Sequence, residues 1–366
     1  MSTPDGSAPL EVRRELVPAP LFSICIPQHN RTSFLIEACK SLQSQTFTDF
    51  EICISDDCST DGREAELLAF LHRSGCSFVY RRQASNLRYD ANLRASIALA
   101  RGRYVFLLGN DDCLARPTTL AEIAAHLQAP GAVSAAVTNY AGFADGQPVG
   151  RVTRTGIVGC GPAVAARSFR NFSFVSGVVL ERAGAQRHAT ARWDGAEMYQ
   201  MFLATRLIAA GGPLLYIDSV AIRKDIQIAG ESVDSIVARP RLTPCPIVER
   251  HLPLGQINRL VADAIAPYAS AGLRARLSEQ VARQLYAFTY PFWIIKYREL
   301  QSWRFALGVC LGLRPDHSLA GLELSRAAWL RLSILFWLSS AAALAVPRRL
   351  IDRLSGSLYR AAKATS

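Results

Sequence analysis

RYVFLLGNDDCL, residues 103–114, joins an apolar run to a pair of carboxylates. The run Tyr104-Val105-Phe106-Leu107-Leu108 stops abruptly at Gly109-Asn110-Asp111-Asp112. A short apolar run with aromatic and β-branched residues suits a strand buried on both faces. Carboxylates at its carboxyl end stand where open α/β sheets bind ligands, in the crevice beyond the strand ends. Like charges side by side are unfavourable unless a cation or hydrogen-bond donors compensate them. Taken alone, the pair also reads as a polar turn closing a strand.

The chain upstream weighs against that plainer reading. Residues 21–27 (LFSICIP) read as a first buried strand ending in the polar loop Gln28-His29-Asn30-Arg31. Thr32 or Ser33 can cap a helix whose Phe34, Leu35, Ala38 and Leu42 recur at helical spacing. Residues 50–55 (FEICIS) make a second strand, which also ends in paired carboxylates, Asp56-Asp57. A helix over 63–73, a strand over 77–81 and a helix over 91–100, stopped by Gly102, lead back to the opening run. This alternation predicts an α/β fold with a doubly wound, mostly parallel sheet. Neither GxGxxG nor GxxxxGK[ST] occurs, so dinucleotide and P-loop chemistry are disfavoured. In a parallel sheet both strand ends fall on one edge, so four carboxylates can share a cleft suited to a divalent metal and hydroxyl-rich ligands.

FSICIPQHNR, SLQSQTFTDFEICISDDCSTDG and NLRYDANLRASIALARGRYVFLLGNDDCL, in that order, resemble family 2 glycosyltransferases of the GT-A type. The likeness is close over 22–114 and looser to about residue 225. It implies that Pro27 and Asn30 lie beside the nucleotide, Asp57 on the uracil edge, and that Asp56 holds the loop. Asn110-Asp111-Asp112 would fill the DxD position, with Asp111 near the ribose and Asp112 on Mg²⁺ or Mn²⁺. Such a cation would stabilise the charge that develops on the leaving diphosphate. Asn86 and Asn92 match polar positions of the family; closing turns or capping helices is their other reading. Two departures stand out: Cys58 replaces the usual Gly after the first Asp-Asp, and Arg88 replaces the Gly of Asn-Leu-Gly. A QxxRW motif of processive synthases is absent, which favours single sugar addition.

Further along, residues 132–140 read as a strand, and Gly177 within FSFVSGVVL (172–180) as a close backbone approach, to acceptor or donor sugar. Inverting transfer needs a base for the acceptor hydroxyl. The resemblance supplies it near Trp193-Asp194-Gly195-Ala196-Glu197-Met198-Tyr199-Gln200, with Glu197 the first choice and Asp194 the second. The competing reading makes Asp194 a helix cap and Glu197 a first-turn residue favoured by the helix dipole. Trp193 suits either a sugar face or the core. Residues 214–223 form a last strand, where Arg223 and Lys224 are candidate counter-charges.

Of 366 residues, 50% are hydrophobic and 19% charged, enough to bury a sizeable core. Nine cysteines lack metal-ligand spacing, and Cys25 and Cys53 lie in apolar runs, as small hydrophobes do. Reduced thiols fit a cytoplasmic protein. The net charge of +11 resides in residues 239–366, which hold 18 Lys+Arg against 7 Asp+Glu; the remainder is neutral. A nucleic-acid binder would need a basic front, so no nucleic-acid partner is expected. Basic residues interleaved with apolar runs favour an anionic membrane surface. Residues 327–346 are the most apolar stretch but include Arg331. Together with the amphipathic LIDRLSGSLYRAAK (350–363) they read as an interfacial anchor; a true span and a buried helical hairpin are the alternatives.

The expected organisation is a mobile tail over 1–20, a catalytic domain over 21–235, and a helical, membrane-associated region over 236–366, introduced by a proline-rich linker. The leading expectation is an inverting, metal-dependent transferase at the inner face of the cell membrane. It would move a sugar from a nucleotide-sugar, a UDP-sugar first, to a lipid-linked saccharide acceptor in surface-polysaccharide biosynthesis. A sugar nucleotidyltransferase and a non-catalytic membrane-associated assembly protein are the competing classes.

Overall fold

The computed structural model describes residues 10–128, 133–231 and 253–347. Its first half runs β1 (Glu11–Arg14), β2 (Phe22–Gln28), α1 (Thr32–Gln43), β3 (Phe50–Asp56), α2 (Glu64–Arg73), β4 (Ser77–Arg82), α3 (Arg88–Ala98) and β5 (Tyr104–Leu107). There follow β6 (Cys113–Leu114), α4 (Thr119–Leu127), β7 (Ala135–Gly142), β8 (Pro148–Val149), β9 (Gly156–Gly159), α5 (Pro162–Ser168), β10 (Val178–Glu181), α6 (Arg182–Arg187), α7 (Tyr199–Ala209) and β11 (Leu214–Lys224).

The described residues fall into two compact units. One lies within Met1–Gly159, Asn171–Ile208 and Gly212–Val233, the other within Cys160–Arg170, Ala209–Gly211 and Asp234–Ser366. Helix α5, expected in the catalytic domain, therefore belongs to the second unit.

The first unit is built on one sheet ordered β1-β4-β3-β2-β5-β10-β7-β11-β6. Its centre, β4-β3-β2-β5, is parallel, as the alternating pattern requires. Beyond it the sheet is mixed: β10 runs antiparallel to β5 and β7, and β11 is parallel to β7. The central strands are apolar because both faces are covered. Phe22, Ile24, Ile26, Ile52, Ile54, Phe106 and Leu108 join the helices' Leu35, Leu42, Leu67 and Leu71 in one core. Gln28 pairs with Asp56 and Cys25 with Leu107, so the loops after β2, β3 and β5 leave the same edge.

Three expectations change here. Part of the supposed tail is ordered, since β1 pairs antiparallel with β4 at the edge of the sheet. No hydroxyl caps α1: Arg31 holds the cap position, and the Thr32 N–H donates to Asp61 Oδ2 at 3.1 Å from the neighbouring loop. Gly177 does mark a close approach, but to the protein itself. With φ of +78°, a Cβ there would lie 2.3 Å from Thr138 Oγ1 and 2.9 Å from an Arg151 guanidinium nitrogen.

The second unit is helical: α8 (Pro253–Ile265), α9 (Ala271–Gln284), a wide turn over Leu285–Thr289, α10 (Tyr290–Leu300), α11 (Trp303–Gly312), α12 (Pro315–Ser318) and α13 (Arg326–Ala345). Pro253 opens α8 instead of ending a linker; Pro240, Pro244, Pro246 and residues 350–363 lie outside the described residues. Ser325 caps α13 by accepting from Ala328 N. One face of α13, with Leu332, Phe336 and Ala343, is buried, and Phe336 meets Tyr286 edge-on at 5.1 Å. Trp329, Leu330, Ile334, Trp337 and Leu338 are exposed, Leu338 by 67%. Arg331 is paired with Glu279 at 2.8 Å. By length and composition α13 is long and apolar enough to cross a membrane.

Candidate active site

At the ends of β2 and β3 the carboxylates hold loops together. Asp56 accepts from Ser59 N at 2.7 Å and from the Tyr80 hydroxyl at 3.1 Å, so it braces its own turn. Burial pushes its carboxyl up, against the pull of those hydrogen bonds. Asp57 accepts from Leu87 N and, at 3.0 Å, from Arg88 N, fixing the start of α3. Asn30 accepts from Thr60 N at 2.5 Å and its own N–H donates to Ser59 Oγ at 2.9 Å, tying the two loops together. Pro27, half-buried, pairs with Ser55 beside them. Asn86 closes a turn by accepting from Arg88 N at 3.0 Å. Asn92 is buried and donates to Gln28 O at 3.1 Å, so it ties α3 to β2. Asn86 thus makes the turn-closing contact of its alternative reading, whereas Asn92, inside α3, neither closes a turn nor caps a helix.

Where the resemblance expects glycine, the backbone keeps a glycine-like shape. Cys58 has φ of +58° and Arg88 φ of +68°, left-handed values that L side chains occupy at a cost. Arg88 is exposed.

After β5 the chain turns at Gly109, whose N–H donates to Ser176 Oγ at 2.8 Å. Asn110 donates to Gln28 Oε1 at 2.7 Å. Asp111 pairs with Arg31. Burial raises its carboxyl, partly offset by Arg31 and reinforced by Asp225. Asp112 is almost wholly buried and accepts from Ser176 Oγ at 2.5 Å and from Asp225 N at 3.1 Å. Burial, then the charge of Asp111, push its carboxyl up to about 7. Lys224, which burial alone would lower, is held above the ordinary lysine value by Asp225, with Asp112 also acting on it. Arg31, Ser176 and Asp225 were not singled out by sequence reasoning, because they come from three separate loops and no spacing relates them.

The third wall comes from α3 and the segment entering α7. Glu197 precedes α7 with φ of +54°. The Tyr89 hydroxyl donates to Gln200 Oε1 at 3.2 Å, and Gln200 donates to Ser173 O at 3.4 Å. The Tyr89 phenol is raised by burial and then by the charges of Asp90, Glu197, Asp112 and Asp111. Asp194 caps no helix: its carboxylate grips the Arg94 guanidinium through two contacts, at 2.5 and 2.7 Å. Trp193 is buried and belongs to the core side of this segment. The charges of Glu197, Asp111 and Asp112 thus all act on Tyr89, whereas Asp56 and Asp57 serve the loops after β3.

For a divalent cation the donor set fits in one respect. Asp112 is a buried carboxylate whose charge its surroundings oppose, with Asp111 and Asp225 adjacent, and a cation would relieve that opposition. Among the described residues no three Asp, Glu, His or Cys side chains converge at metal-ligand spacing. The protein would then supply one or two carboxylates and a bound diphosphate the rest, as is common for Mg²⁺.

Residues 23–181 match the family model described as glycosyl transferase family 2. Abequosyltransferase RfbV of Salmonella typhimurium is 42% identical over 98 residues, 26% of this chain and 29% of that protein. A PGL/p-HBAD biosynthesis glycosyltransferase of Mycobacterium bovis is 35% identical over 109 residues, 30% of this chain and 42% of that protein. The matched segments thus span less than half of these relatives. Among solved structures, S. aureus TarS 1-349 in complex with UDP aligns with a TM-score of 0.59 at 15% identity, covering 88% of this chain and 90% of that one. The mannosyltransferase PcManGT from Pyrobaculum calidifontis, in complex with GDP-Man and Mn²⁺, aligns at 0.52 and 16%, covering 94% and 86%.

Proposed function

We propose, from the premise that residues 23–181 form a glycosyl transferase family 2 domain on a GT-A fold, that this chain is an inverting glycosyltransferase using a nucleotide-sugar, a UDP-sugar first. The single observation carrying this is the carboxylate pair Asp111-Asp112 just beyond β5, on the edge where the loops after β2 and β3 also leave, with Asp112 buried and held by Ser176 and Asp225. Glu197 is the base: its carboxylate takes the acceptor hydroxyl's proton as that oxygen bonds to the anomeric carbon. The bond from that carbon to the diphosphate breaks, and its electron pair leaves on the diphosphate. Asp112, with Asp111 beside it, would hold Mg²⁺ or Mn²⁺, which when bound neutralises diphosphate charge. Arg31 pairs with Asp111 and favours its charged form against burial, and Ser176 orients Asp112. The loops braced by Asp56, Asp57 and Asn30 form the nucleotide's seat, with Pro27 beneath it.

The acceptor is proposed to be a lipid-linked saccharide, in keeping with relatives named for abequosyl transfer and PGL biosynthesis. We place the protein at the cytoplasmic face of an anionic membrane. The exposed apolar face of α13 and the excess of basic residues in 239–366 support an in-plane anchor.

Calorimetric titration of UDP, GDP and CDP, each with and without Mn²⁺, into wild type and Asp112→Ala tests the donor reading. Binding of UDP that needs the metal and is lost in the variant is expected. Failure of all three nucleotides to bind would overturn it.

A further inference from the structure

The mechanism above gives no task to Asp90, a carboxylate only 1% exposed on the first turn of α3. Its Oδ2 accepts from Gly195 N and Glu197 N, both at 2.8 Å, and its Oδ1 from Tyr199 N at 3.0 Å. Charge-assisted hydrogen bonds are what make a buried carboxylate tolerable. These donors alternate along the chain, so one side chain grips the whole entry to α7, where amides lack partners within the helix. Glu197, in the middle, is left-handed, a conformation that persists in a glutamate only where its surroundings impose it. The N–H groups of Leu87 and Arg88, just upstream of Asp90, bind Asp57. The start of α3 therefore carries both the nucleotide-side loop and the grip on Glu197.

We infer that Asp90 is a positioning residue, whose three backbone hydrogen bonds hold Glu197 in its left-handed conformation at the entry to α7 and so fix where its carboxylate is presented. This rests on the reading of Glu197 as the base. A carboxylate serving only as a helix cap would affect stability and leave turnover of the folded protein unchanged.

The test combines amide hydrogen exchange with nucleotide release, using the full chain. In Asp90→Ala, exchange over residues 195–199 is expected to speed up roughly tenfold or more, with residues 22–28 and 50–56 unchanged. Release of UDP from UDP-glucose, UDP-galactose and UDP-N-acetylglucosamine, with Mn²⁺ and water as acceptor, supplies the kinetic arm. There kcat is expected to fall about 100-fold in Asp90→Ala with donor KM within about twofold. Asp90→Asn keeps an acceptor oxygen for Gly195 and Glu197, so it should retain roughly a tenth of kcat; it also serves if the alanine variant does not fold. Combining Asp90→Ala with Glu197→Gln should be no slower than Glu197→Gln alone.

Unchanged exchange at 195–199 overturns the inference, as does full kcat in a folded Asp90→Ala whose 195–199 amides exchange fast. Wild-type release by Glu197→Gln removes the base reading instead, and is told apart because the exchange result does not depend on it. If none of the three sugars is turned over, the UDP-sugar reading falls, and exchange in the presence of UDP and Mn²⁺ decides alone.

Discussion

Cys58 and Arg88 show how far a backbone shape can be kept without the residue that makes it easy. Each stands in a left-handed conformation, and in each case the neighbouring hydrogen bonds to Asp56 or Asp57 hold the turn. Left-handed backbone costs a non-glycine residue about 1–2 kcal/mol, while glycine loses more entropy on folding. Cys58→Gly and Arg88→Gly are therefore each expected to stabilise the protein by about 0.5–1 kcal/mol, read as a shift in denaturant midpoint. Asp112 gives a second prediction. Its carboxyl is raised to about 7 by burial and by Asp111, whereas an unfolded aspartate titrates near 4. Stability from the protonated form is fully present below about pH 4 and is lost as pH rises through about 7. Metal-free Asp112→Asn should escape that loss and exceed wild type by on the order of 3 kcal/mol at pH 8, with no such gain near pH 4. Thermal melts across that range check it.

Short elements explain what sequence could and could not convey. Strands β2, β3 and β5 are apolar runs ending in polar residues, and the burial of both faces is what writes that pattern. β10 is only four residues, Val178–Glu181, too short to announce that it runs antiparallel. The Asp112 position was legible because an apolar run points to it; its partners Ser176 and Asp225 were not, lying 64 and 113 residues away. Asp90 could not be singled out from sequence, since its three partners are more than 100 residues downstream. The same distance hid the pairing of Asp194 with Arg94. That pairing separates the two candidate bases. Asp194→Ala is expected to leave kcat within about threefold and to cost less than about 1 kcal/mol, as partly exposed ion pairs do. Glu197→Gln should lower kcat roughly 100- to 10,000-fold, the range expected for loss of a general base.

At the scale of the whole molecule, charge and apolar exposure coincide in sequence, though not in the half that carries the cleft. Trp329, Leu330, Ile334, Trp337 and Leu338 remain open along α13, in the region that holds the entire net charge of +11. Co-sedimentation with vesicles containing phosphatidylglycerol should exceed that with phosphatidylcholine alone and fall about tenfold or more in Trp337→Ser/Leu338→Ser. Alkaline carbonate should strip the protein from membranes if α13 lies in the plane, and fail to do so if it spans.

The ordered strand β1 bears on how this protein can be handled. It covers the outer edge of β4, Ser77–Arg82, with Glu11 paired to Arg81 across the seam. Trimming the chain to begin at residue 21 would look harmless and would uncover a row of unpaired amides and carbonyls. Such an edge invites a second molecule to add its own strand, so the shortened protein should elute as larger species than the full chain.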